Sequence, residues 1–292
     1  MAKHPIIPFR GRPDWLIALG LSLLLAGCTT TLARLAYPRL DWGLAHLIDS
    51  FFTPTASQRG EIDRQSQALL DWHCREQLPQ YAEWLEQLQQ EIESRQLTAE
   101  RLHLRVRDLY LFWDRLAERL AQAFAPLAAD LSPEQIEEIA QTFARKTADE
   151  QRQIKSEAAD RKRQLKRIQK LLGYWIGGLN PEQEQRLHDL GESLRPIAQE
   201  KSANRKARRE LLRQWLSSGA AASALEPKLR RWLTYQREDW LPAFREVYRH
   251  NEGLILERLG WLVQHLNAEQ QQHLGERLTD WSQTLRTLSC RG

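Results

Sequence analysis

From Leu40 onward the apolar residues recur at helical spacing. Leu40, Leu44, Leu47, Ile48 and Phe51 share one face, while Arg39, His46 and Asp49 lie off it. Further on, Ile154, Ala158, Arg161, Leu165, Ile168 and Leu172 follow a 4-3-4-3-4 spacing. That is a packing seam in which Arg161 is the intruder, expected to snorkel. Glycine is scarce and β-branched residues are few, so no strand is expected. The pattern predicts helices over 38–51, 55–94 (kinked near 79), 98–125, 132–175, 181–216, 227–251 (kinked near 242), 253–266 and 268–289. The fold class is all-α: an elongated multi-helix bundle of antiparallel hairpins with proline kinks. The helix over 132–175 would run about 65 Å.

Helix starts are legible in four related segments: PTASQ (54–58), LSPEQ (131–135), LNPEQ (179–183) and LNAEQ (266–270), with a degenerate fifth, LTAER (97–101). Each offers a Ser, Thr or Asn that accepts a backbone N–H as N-cap. The Gln three residues later reaches back to complete a capping box, and Pro133 and Pro181 suit the first helical position. Pro79, Pro126, Pro196, Pro227 and Pro242 fall inside helical stretches, and each should kink or break one. A form LPx[Y/F]xE followed by L-[T/N]-A-E occurs twice, at 78–83 and 97–100 and at 241–246 and 266–269, hinting at an internal duplication. Residues 217–223 are small and form the best linker candidate, a possible sub-boundary within a helical domain spanning 38–292.

The first residues follow a different logic. Lys3, Arg10 and Arg12 precede an apolar run over 15–26, WLIALGLSLLLA. It is too short for a membrane span, which needs about 20 residues, and it suits a signal peptide over 1–27. Leu25-Ala26-Gly27-Cys28 follows, resembling the lipobox of bacterial lipoproteins. The resemblance implies cleavage between Gly27 and Cys28 and a diacylglycerol and N-acyl lipid on Cys28, with no other cofactor expected. Thr29, in place of Asp, implies sorting to the outer membrane, facing the periplasm. Residues 28–37 are then a lipidated, membrane-proximal segment. Only Thr29, Thr30 and Thr31 separate the lipid from Leu32, Leu35 and Tyr37, so residues 32–42 are expected at the lipid headgroups, with Trp42 suited to the interface. The competing reading packs Leu32, Leu35 and Tyr37 back onto the domain.

Processing would remove three basic residues and one acid, Asp14, lowering the formal net charge from +4 by two. Of three cysteines, Cys28 carries lipid. Cys74 and Cys290 either pair, as the periplasm permits, or stand as two isolated thiols.

The stretches RLAYPRLDW (34–42), DSFF (49–52), TASQ (55–58), DWHCREQLPQYAEWLEQL (71–88) and RKRQLKRIQKLLGYWIGGLNPEQ (161–183) resemble a family of uncharacterised all-helical proteobacterial lipoproteins. The resemblance implies an all-helical fold and brings no activity. Pro54 stands where that family tends to have Leu. Cys74 is not part of its pattern, which weighs against a disulfide. The repeated [STN]xxQ caps are also similar to the LTxxQ motifs of Spy- and CpxP-type periplasmic chaperones.

Catalytic and metal-binding motifs are missing from the sequence: no G-x-S-x-G, H-E-x-x-H, C-x-x-C, phosphate-binding glycine loop or S-x-x-K. His265, Glu269 and His273 are spaced by four, but the Asn267 cap interrupts the helix between them, so no metal site is expected. Trp42, Trp72, Trp240 and Trp281 each follow an Asp and read as packing residues, Trp42 excepted. Two basic clusters carry more information. Lys155, Arg161, Lys162, Arg163, Lys166, Arg167 and Lys170 form one; Arg205, Lys206, Arg208 and Arg209 belong to the other. Folded back as a hairpin around Gly177-Gly178, they would run end to end over roughly 40 Å, a surface for anionic lipid or lipopolysaccharide. Nucleic acid is not expected in this compartment. The function expected is non-enzymatic: an anchored lipoprotein that binds another envelope component or acts as a helical chaperone or assembly factor. The alternative is a membrane- or lipopolysaccharide-associated adaptor.

Overall fold

A computed structural model describes residues 30–154 and 156–290. The signal segment 1–27, the cleavage and lipidation positions Gly27 and Cys28, and Lys155 lie outside the described residues. In chain order come α1 (Thr30–Ala36), a 3-10 turn (Tyr37–Arg39), α2 (Leu40–Asp49), α3 (Ala56–Trp72), a π-helical turn (His73–Gln77) and α4 (Leu78–Glu93). Then follow α5 (Ala99–Ala129), α6 (Pro133–Gln153), α7 (Glu157–Ile176), α8 (Pro181–Ser193), α9 (Ala198–Leu216) and α10 (Ala222–Thr234). A 3-10 turn (Arg237–Asp239), α11 (Pro242–Gln264) and α12 (Ala268–Leu288) complete the order. There is no strand among the described residues, and the fold is an all-α multi-helix bundle.

The caps sit where the motifs predict. Thr55, Ser132, Asn180 and Asn267 adopt extended backbone and accept the N–H of Gln58, Gln135, Gln183 and Gln270, each of which reaches back to form a full capping box. Thr98 caps α5 through the Arg101 N–H.

Several helix boundaries differ from the expected ones, each for a local reason. The long helix over 132–175 is two helices. Ile154 turns extended, with ψ of 119°, and Ser156 accepts the Ala159 N–H at 3.3 Å, so α7 starts afresh. The stretch 181–216 breaks around Pro196. There the backbone N–H groups of Ile197 and Ala198 donate to Asp160 at 2.7 and 2.9 Å, and buried Asn251 accepts from Arg195 N–H and donates to Arg195 O. Side chains from α7 and α11 thus satisfy the backbone groups that the break exposes. Pro227 lies inside α10, which begins earlier than expected, and Pro126 lies inside α5. α10 instead ends at Tyr235, in the left-handed region at φ 54°, and α11 runs unbroken from Pro242 through Gly253.

Two apolar cores result. The first gathers α1, α4, α7, α8, α11 and α12 around Leu78, Leu85, Leu190, Leu278 and Trp281. The second gathers α2, α3, α5, α6, α9 and α10 around Phe52, Ile62, Leu127, Ile139, Leu212 and Leu216. The small-residue stretch that begins at 217 turns tightly at Gly219, φ 63°, between α9 and α10, both of which pack into the second core.

Cys74 and Cys290 are joined by a disulfide, which corrects the weight the family pattern laid against pairing. Tertiary packing supplies the reason. α12 lies along α4, with Arg286 paired to Glu86 at 2.6 Å and Thr279 bonded to Gln89 at 3.1 Å, so the C-terminus returns to the π-helical turn that holds Cys74.

Candidate functional site

The four glutamine caps meet in pairs. Gln58 Nε2 donates to Gln135 Oε1 at 3.2 Å, and Gln135 Nε2 donates back to Gln58 Oε1 at 2.7 Å. Gln58 also donates to Asp130 O and Gln135 to Thr53 O, each carbonyl two residues before the partner's cap. The same joint recurs between Gln183 and Gln270, with exchanges of 3.0 and 2.7 Å and donations to His265 O and Gly178 O. All four side chains are buried. Each Oε1 meanwhile accepts its own N-cap N–H. Every amide hydrogen-bonding direction that the joint requires is filled, as a buried polar network demands. These joints fix helix starts α3 against α6 and α8 against α12.

A cavity of about 290 Å³ lies in the second core, close to the low end of small-molecule pockets at about 300 Å³. Its walls come from α2, α5, α6, α9 and α10 and are apolar, with Phe51, Phe124, Phe143 and Trp232 among them. One part of the wall is cationic: Lys146 from α6 and Arg205, Arg208 and Arg209 from α9. The three arginines are buried.

Their partners explain how they are held there. Glu150 accepts from Arg205 at 3.3 Å and from Arg209 at 2.7 Å, and Arg209 also donates to Thr147 Oγ1 at 2.7 Å. Arg208 donates to Trp232 O and lies 4.1 Å from the Tyr235 ring centroid. Burial pulls its guanidinium down to about 10, against the raising influence of Tyr235 and Asp239. The Lys146 ammonium stacks 3.8 Å from the Phe51 ring centroid. Burial, and then Arg209, pull it down to about 8, with Glu150 opposing. The nearby Asp239 is engaged by Arg231.

This arrangement corrects the expected basic surface. α7 and α9 are not a hairpin pair: α7 packs against α8 and α12, whereas α9 packs against α6, α10 and α11. The two clusters therefore do not run end to end. Arg205, Arg208 and Arg209 turn inward, while Lys206 stays exposed. On α7, Lys162, Lys166, Arg167 and Lys170 are exposed, Arg161 is half-buried and faces Glu157, and Arg163 donates to Gln153 O. The cavity itself was not read from the sequence; a cluster of arginines interleaved with leucines on α9 was the available signal.

The tryptophans divide: Trp240 and Trp281 are buried with the indole N–H bonded, whereas the buried Trp72 indole N–H has no hydrogen-bond partner among the described residues. Trp240 donates to Tyr235 O at 3.0 Å and Trp281 to the Tyr174 hydroxyl at 2.6 Å. Trp72 is half-buried with Arg119 over its ring, and Trp42 is 68% exposed. At the start of the body, Tyr37 and Ala33 are buried in the first core, but Leu32 and Leu35 are exposed. Of the three residues that the competing reading packs back onto the domain, Tyr37 does so and Leu32 and Leu35 do not. His265 and His273 bond to different carbonyls, Trp261 O and Tyr174 O, and no metal-binding group occurs among the described residues.

Fold and joints together define an all-α bundle with helix starts locked in pairs. The chain belongs to the family of unknown function DUF6279, whose family model matches residues 54–245, a span holding the first joint and every cation of the cavity. No curated protein and no solved structure matches it. Among the described residues, no helix is long and apolar enough to cross a membrane.

Proposed function

We propose that this protein is a non-enzymatic lipoprotein of the bacterial envelope, anchored through acylated Cys28 at the periplasmic face of the outer membrane. Its helical body binds an apolar envelope component in the cavity of the second core. The observation that carries the reading is that cavity, apolar around most of its wall and built from five helices. The disulfide between Cys74 and Cys290 agrees with an oxidising compartment. Exposed Leu32, Leu35 and Trp42, immediately after the lipidation position, agree with a body held against a membrane.

The test uses membranes carrying the full chain and a neutral aryl diazirine. Labelling is expected on peptides containing Phe124, Phe143 or Trp232, and Leu229→Trp, which fills the cavity, should suppress it. Labelling unchanged by that substitution would refute the binding site. Cys28→Ala should leave an unacylated, unprocessed precursor; normal processing of that variant would refute the anchor. A second reading, an adaptor for anionic membrane components, is favoured by exposed Lys162, Lys166 and Lys170 on α7. It predicts that substituting these three, and not Leu229, releases the partner.

A further inference from the structure

We propose that the cavity's occupant is a single-chain amphiphile with a compact anionic head, a fatty acid whose carboxylate lies against Lys146, Arg208 and Arg209. This rests on the reading of the cavity as a binding site and specifies its ligand.

Size and lining suit the tail: a cavity of about 290 Å³ is of the class that takes one small ligand. Apolar walls from Phe51, Phe124, Phe143 and Trp232 suit a hydrocarbon and offer few groups to recognise a polar body.

Charge selects the head. On this wall Arg209 is paired with Glu150, whereas Arg208 donates to the Trp232 carbonyl and Lys146 lies on the Phe51 ring, neither of these two in an ion pair among the described residues. Charge withdrawn from water is costly unless paired, so Arg208 and Lys146 leave a place for an anion. Lys146 is the clearest case. Its ammonium contacts the Phe51 ring, and no acceptor among the described residues hydrogen-bonds it. A carboxylate placed there accepts from an ammonium and from guanidinium groups, the strong charge-assisted class of bond. A plain packing role for these residues would be served better by leucine, because an apolar replacement carries no desolvation cost. The same wall discriminates against a neutral alcohol of equal length, which fills the tail site and leaves Lys146 and Arg208 without an anion.

The test uses the full acylated protein in phosphatidylcholine vesicles, photolabelled with diazirine-bearing decanoic acid or the matching decanol. The acid should label cavity peptides on the order of tenfold more than the alcohol. Each methylene removed should lower occupancy about fourfold. Lys146→Gln should bring acid labelling toward the alcohol level, and Lys146→Arg should restore it; circular dichroism melts show whether each variant is folded. Equal labelling by acid and alcohol would overturn the anionic ligand while leaving the apolar site standing. Absence of cavity labelling by either probe would overturn both. An acid preference that survives Lys146→Gln and Arg208→Gln alike would place the discrimination elsewhere and also overturn the proposal.

Discussion

Replacing Gln183 by glutamate separates a paired joint from an ordinary capping box. In an ordinary box, Glu serves at this position as well as Gln, because only an acceptor is needed. Here Gln183 Oε1 accepts the Asn180 N–H, while Nε2 donates to His265 O and to Gln270 Oε1, both at 3.0 Å. A carboxylate keeps the first bond and loses the other two, and sets an oxygen against two acceptors. The side chain is 2% exposed, so water does not relieve it. Leaving a buried partner unsatisfied costs about 1–3 kcal/mol per group. Charge at a helix N-terminus returns about 0.3–1 kcal/mol. The expected net loss is about 2–4 kcal/mol, a fall in Tm of roughly 5–15 °C for a chain of this size. The measurement is a far-UV circular dichroism melt at neutral pH, with Asn180→Ala alongside, which removes only the cap and should cost about 1 kcal/mol. The deficit of Gln183→Glu should shrink in acid, where a protonated carboxyl regains one donor. A melt equal to or above wild type would refute the joint.

Other consequences follow from single residues. Reducing the disulfide opens a loop of 216 residues in sequence separation and should cost about 5 kcal/mol on the loop-entropy account; a melt insensitive to reductant would contradict it. Burial pulls the His73 imidazole down to about 4, and its Nδ1 lies 2.8 Å from the Tyr37 hydroxyl. The folded state therefore favours neutral His73. Its contribution is complete above the unfolded pKa, about 6.5, and is lost as pH falls toward 4, by about 1–3 kcal/mol. His73→Gln should flatten the stability profile in that window, and an unchanged slope would assign it to other groups. Asp160→Ala strips two backbone N–H groups at the start of α9 of their acceptor and should cost about 2 kcal/mol in urea melts; a cost within a few tenths would deny it the capping role. Ser132→Ala, removing the α6 cap, should cost about 1 kcal/mol in the same assay.

Local chemistry explains what was legible in the chain. Caps at Thr55, Ser132, Asn180 and Asn267 are properties of four or five consecutive residues, so motif and structure agree. Their pairing is not local: Gln58 meets Gln135 across 77 residues and Gln183 meets Gln270 across 87. The clue available was chemical, in that all four boxes use Gln where Glu would cap as well. The break before α7 was missed because Ser156 sits in a polar run that reads as continuous helix, and capping competes with helix interior at any serine. The α9 arginines read in sequence as part of a basic surface; only the packing of α6 and α10 against that helix encloses Arg205, Arg208 and Arg209. The Cys74–Cys290 bond depends on α12 returning along α4, which no spacing reveals.

The central claim is that the cavity of the second core holds an apolar ligand. Native mass spectrometry of the full protein released from its own membranes tests it most directly. The account predicts a population heavier than the acylated chain by one fatty acid, lost on denaturation and missing from Leu229→Trp. A single mass equal to the acylated chain, unchanged by that substitution, would contradict it.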